Sequence, residues 1–147
     1  MIDIFNNILV WLVIGSPFIF IVIVVAINIK YKKKLSNLKQ ERMYENFETF
    51  TQYLAQGTQD EIDKQICLNV YQFLQQLTPI KDFPVRPSDS LWDLYGIGVP
   101  FNIYLDEVID ELSLQCWKRR FVDTGKIPEK LATVRDLVRF ISQLGTK

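Results

Sequence analysis

Histidine is absent from all 147 residues, and with it go the commonest general base and the commonest metal ligand. Only two cysteines occur, Cys67 and Cys116. They stand 49 positions apart inside apolar patterns, without a CxxC spacing, and are expected to be free buried thiols of a reducing compartment. Lysine and arginine are missing from the first 29 residues, where Asp3 is the one acid; all 17 basic residues and 16 of the 17 acids follow Ile29. A net charge of zero therefore hides two chemically different pieces. No run alternates between apolar and polar residues for long enough to suggest a sheet, so the expected fold class is all-α. Gly96-Ile-Gly98 lacks the third glycine and the preceding strand of a dinucleotide fingerprint. Ser90 has neither a histidine partner nor the elbow motif of a nucleophile.

What is present begins with a long apolar run. From Ile4 to Ile29 no residue carries a formal charge, and Ile8 to Ile29 would span about 33 Å as a helix, close to a hydrocarbon core of about 30 Å. Its centre, Phe18-Ile-Phe-Ile-Val-Ile-Val-Val-Ala26, is apolar all round rather than on one face. Gly15-Ser16-Pro17 could kink it, as membrane helices tolerate. A cleaved signal peptide would need a positive flank, a shorter core and a small-residue cleavage site, none of which is present. The pattern predicts an extracytoplasmic N-terminus over 1–7 and one transmembrane helix over 8–29. Lys30, Lys32, Lys33 and Lys34 follow at once, with Lys39 and Arg42 beyond. By the positive-inside rule they put the remainder in the cytoplasm, as a single-pass protein of the cell (inner) membrane. The lipid bilayer is thus the first expected partner, and the four lysines could also hold anionic headgroups at about 1 kcal/mol each.

A basic juxtamembrane stalk helix is predicted over 30–57, with an apolar stripe of Leu35, Leu38, Met43, Phe47, Phe50 and Leu54 ending at Gly57. That stripe would pack on the following domain or on a second copy of the chain. The domain itself is expected over 58–147. Thr58-Gln-Asp-Glu61 has the form of a capping box for a helix burying Ile62, Ile66, Cys67, Val70, Phe73, Leu74 and Leu77, ending before Pro79. Residues 78–100 form a long connection in which Ser88 would cap one turn through Leu91, Trp92 and Leu94, stopped at Gly96. Phe83 and Val85 add further apolar ties. A third helix starts near Pro100, buries Ile103 or Tyr104, Leu105, Val108, Ile109, Leu112 and Cys116, and runs to about Phe121. Its acids come early and Lys118, Arg119 and Arg120 late, complementing the helix dipole. Thr133-Val-Arg-Asp136 then opens a last helix of Val134, Leu137, Val138, Ile141 and Leu144, closed by Gly145.

Taken in order, these elements resemble an acyl carrier protein over residues 59–145: Ser88-Asp-Ser-Leu-Trp-Asp-Leu-Tyr-Gly96, an acidic helix, Ile127-Pro128, and Ala132-Thr-Val-Arg-Asp-Leu-Val138. The resemblance implies a small four-helix carrier-like domain with the acidic helix as the surface that partner enzymes read. In that family phosphopantetheine is attached to a serine in Asp-Ser-Leu, just after Asp-Leu-Gly and at the start of the acidic helix. Here Asp89-Ser90-Leu91 precedes Asp93-Leu94, and after Gly96 no hydroxyl occurs before Tyr104. In that register the attachment serine is missing and no cofactor is expected; Ser90 would be modified only in an alternative in which the chain is a working membrane-anchored carrier.

The chemistry-bearing pattern is Asp106, Glu107, Asp110 and Glu111, an acidic stripe along one side of a helix. A metal site or catalytic acid pair would need histidine or a second acidic motif, so the stripe reads as plain solvated helix surface or, as its functional reading, a stripe that binds a protein partner, rather than an active site. Residues 59–147 hold 11 basic and 13 acidic residues, a net −2 that argues against nucleic acid. The function expected is therefore a membrane-tethered, non-enzymatic interaction module. The alternatives are the working carrier and a small membrane-anchored inhibitor or immunity-type protein.

Overall fold

The computed structural model describes the backbone of residues 2–56, 63–97, 103–118, 128 and 131–145, with side chains from residue 19 onward except 103 and 104. All regular elements among them are helices, in agreement with the all-α expectation; the one β-type pairing is an isolated bridge between Ser90 and Thr133. The chain divides into two compact units, Met1–Leu38 and Lys39–Lys147.

The first unit is the body of α1 (Ile2–Glu41). Among the described residues no helix is long and apolar enough to cross a membrane. The described part of the apolar run, Ile19 to Ile29, makes about 16 Å of helix. The predicted span begins at Ile8, and the side chains from Ile8 to Phe18 lie outside the described residues.

The second unit holds the last turn of α1 and then α2 (Phe47–Ala55), α3 (Lys64–Leu77), α4 (Leu91–Tyr95), α5 (Ile103–Trp117) and α6 (Val134–Gly145). The single stalk helix predicted over 30–57 is therefore two helices. The stripe read there, with Leu35 and Met43 eight positions apart on one helical face, does not mark the break. After Glu41 the chain turns: Glu45 N–H donates to the Arg42 carbonyl at 2.9 Å, and Met43 and Tyr44 are left exposed. Asn46 then restarts the helix with a capping box, its Oδ1 accepting from Thr49 N–H at 3.1 Å.

α3 is the central element, packing on α2, α5 and α6, while α5 and α6 also meet. It buries Ile66, Cys67, Val70 and Leu74 as predicted. Phe73 is only half-buried and Leu77 is exposed. Tyr71 takes up the burial instead, its ring 5.6 Å from that of Phe47 and 5.2 Å from that of Phe50, in edge-on and tilted contacts favoured by aromatic quadrupoles. The predicted capping box at Thr58–Glu61, and Gly57 and Ile62, lie outside the described residues; the visible cap is Asp63, whose Oδ1 accepts from Gln65 N–H at 2.7 Å. α5 buries Leu105, Val108, Ile109 and Leu112, and α6 buries Val134, Leu137, Val138 and Ile141, as their spacings require. Thr133 and Asp136 cap α6 reciprocally: Thr133 N–H donates to Asp136 Oδ2 at 2.9 Å and Asp136 N–H to Thr133 Oγ1 at 3.3 Å.

The long connection is tied down rather than loose. Phe83, Val85, Leu91 and Leu94 are buried, while Trp92, predicted as a tie, is exposed on the outer side of the one-turn α4. Ser90, not Ser88, caps α4, its Oγ accepting from Asp93 N–H at 3.1 Å. At the other end Gly96 sits at φ 67° and its N–H donates to Trp92 O, the single bond of an αL stop, while Ile97 N–H donates to Leu91 O. Three backbone bonds fasten this segment to the start of α6: Leu91 N–H to Ala132 O, Val134 N–H to Asp89 O and Arg135 N–H to Pro87 O.

Candidate functional site

Two ion pairs form among the described residues where the turn after α1 meets the loop before α4. Arg42 and Asp89 pair side by side, Nη1 and Nη2 each donating at 2.8 Å to one carboxylate oxygen, with side-chain exposures of 7% and 3%. Such a two-pronged bond fits the planar guanidinium to the carboxylate. The same Asp89 carboxylate accepts from Arg86 N–H at 2.8 Å and from the Tyr95 hydroxyl at 3.3 Å. Arg42 also donates to the Pro84 carbonyl at 3.1 Å and lies over the Phe83 ring at 5.8 Å. Next to this pair Arg86 grips Glu45, its Nε donating to Oε2 at 2.7 Å. That hydrogen bond, opposed by partial burial, raises the pKa of a guanidinium that is already permanently charged. Sequence reasoning missed both pairs, whose partners stand more than forty residues apart and carry no motif.

Behind the second pair lies a cleft of about 360 Å³ lined by Tyr53, Gln56, Arg86, Pro87, Ser88 and Arg135. Arg135 is positioned by two bonds: its N–H donates to Pro87 O at 2.9 Å, and its Nη2 donates to Tyr53 O at 2.9 Å.

The predicted acidic stripe does lie on one helix. Glu107 and Glu111 are exposed and Asp106 and Asp110 half-buried, on the side of α5 away from Val108, Ile109 and Leu112. Gln115 Nε2 donates to Glu111 Oε1 at 2.8 Å. The basic end differs from expectation: α5 ends at Trp117, and Lys118 follows in the left-handed region at φ 57° as the residue that stops the helix. Arg119, Arg120 and Phe121 lie outside the described residues, as do Gly98 and Pro100. Lys30, Lys32, Lys33 and Lys34 are exposed on α1. Ser90, the carrier serine of the alternative, is half-buried, with its hydroxyl oxygen committed to the α4 cap.

Cys67 is buried and Cys116 half-buried, and both are free thiols. Burial first, and the Asp63 charge second, push the Cys67 thiol from its ordinary 9.0 up to about 11. Burial likewise raises Cys116, whose Sγ accepts from Asn69 Nδ2 at 3.3 Å. Among the described residues no group of three or more His, Cys, Asp or Glu is placed to hold a metal ion. No protein-family model, curated protein or solved structure matches this chain.

Proposed function

We propose that this chain is a membrane-tethered, non-catalytic interaction module: α1 anchors it in the bilayer through residues 8–29, and the helical unit after it engages a protein partner through the acidic side of α5. The observation that carries the anchor is the exposure of the apolar run. Ile19, Phe20, Ile21, Val22, Ile23, Val24, Val25, Ile27 and Ile29 are each 39–68% exposed, on all sides of the helix. Burying that surface in hydrocarbon would gain on the order of 10 kcal/mol, and an apolar exposure of this extent marks a partner or a membrane. The exposed lysines at its end supply the cytoplasmic flank. For the partner surface, Glu107 and Glu111 supply exposed negative charge on a helix whose other side is fixed in the core.

The test has two arms. A reporter fused after Lys147 should be active only if it functions in the cytoplasm; activity of an export-dependent reporter would overturn the orientation. Changing Glu107 and Glu111 together to Lys should leave a folded, membrane-localised protein that loses its partner in a mild-detergent pull-down, because like charges at an interface cost several kcal/mol. Ser90→Ala should not affect retention. If Ser90→Ala abolishes binding while the charge reversal is silent, the carrier alternative replaces this proposal.

A further inference from the structure

We propose that the cleft between the end of α2, the loop before α4 and the first turn of α6 is a binding site for a phosphate monoester. Its lining is chemically one-sided. Arg86 and Arg135 contribute guanidinium groups, Tyr53 a phenol, Ser88 a hydroxyl and Gln56 a carboxamide, and among the described residues no carboxylate lines it. Every polar group there can donate a hydrogen bond, so the complementary ligand is an anion with several acceptor oxygens.

Both guanidinium groups are held before any ligand arrives. Arg86 is fixed through Nε and Nη2 on Glu45, which lies outside the cleft lining. Arg135 is fixed at its backbone by Pro87 O and at Nη2 by Tyr53 O. Arg135 Nε is buried without a hydrogen-bond partner among the described residues. With the adjoining Arg42–Asp89 pair included, three arginines and two carboxylates leave one net positive charge among these described residues. Held side chains lose little further freedom on binding, which is where affinity for a small anion is usually lost. The lining comes from three separate elements, so it offers donors from several sides, as the tetrahedral oxygens of a phosphoryl group require. At about 360 Å³ the cleft takes the phosphate and a few further atoms of an ester. A soluble phosphate ester and the headgroup of phosphatidic acid share this chemistry.

The experiment uses the full chain in neutral detergent, titrated calorimetrically with sn-glycerol 3-phosphate at constant ionic strength. Saturable binding is expected. Ser88 is exposed and takes part in none of the side-chain bonds described, so Ser88→Asp places a carboxylate in the cleft without unfolding it and should weaken binding at least about tenfold. Arg135→Gln should weaken it comparably, and Lys64→Gln, a charge change outside the cleft, should not. Heat no greater than that of added sodium chloride, or wild-type affinity in Ser88→Asp, would overturn the proposal. Repeating the titration in phosphatidylcholine nanodiscs with and without phosphatidic acid separates the two sources. A fall in apparent affinity caused by phosphatidic acid supports the site with a lipid headgroup as its ligand; an unchanged affinity supports it with a soluble ester.

Discussion

Replacing Asp89 by Ala tests how the helical unit is held together. The carboxylate is 3% exposed and accepts two bonds from Arg42, one from Arg86 N–H and one from Tyr95. Its removal leaves the Arg42 guanidinium, itself 7% exposed, buried without its counter-charge. Breaking one side of a buried pair in this way costs about 3–5 kcal/mol. The orphaned Arg86 N–H adds about 1 kcal/mol or more. Against a domain stability of roughly 5–15 kcal/mol, the loss is a large share of the whole. Urea unfolding of the full chain in mild detergent, followed by circular dichroism, should show a midpoint shift of that size with little change in slope. The double variant Arg42→Met, Asp89→Leu should recover most of the loss, because an apolar pair of similar volume avoids the desolvation of both charges. A cost below about 1 kcal/mol for Asp89→Ala, or a double variant as unstable as the sum of the singles, would refute this account of the pair.

Two further outcomes follow from local geometry. The folded Cys67 thiol keeps its proton up to about pH 11 while the unfolded one loses it near 9.0, so the unfolded state binds fewer protons between those values and stability should fall as pH rises through that window; unfolding curves at pH 8 and pH 10 should diverge less in Cys67→Ala than in the wild type. Lys118 occupies a left-handed backbone position with φ 57°, which costs an L-residue roughly 1 kcal/mol; Lys118→Gly should therefore raise the melting temperature by a few degrees, and a lowered one would mean that the lysine side chain matters more than its backbone strain.

Local pattern determined the helical class, most of the buried faces of α3, α5 and α6, the Thr133–Asp136 cap and the stop at Gly96, because each depends on residues within a turn or two of one another; it did not foresee Tyr71 buried in place of Phe73 and Leu77. The apolar composition of residues 8–29 was equally local, and so was the acidic side of α5. The break after Glu41 was not legible, because Leu35, Leu38 and Met43 fit one helical face and the turn there accompanies Arg42 pairing with Asp89. Which residues meet was decided only by tertiary packing. Arg42 finds Asp89, Arg86 finds Glu45, and Arg135 reaches Tyr53, over separations of 47, 41 and 82 positions. A guanidinium on a surface and one in a buried pair look alike in sequence, since the difference lies in desolvation and in the partner brought beside it by the fold.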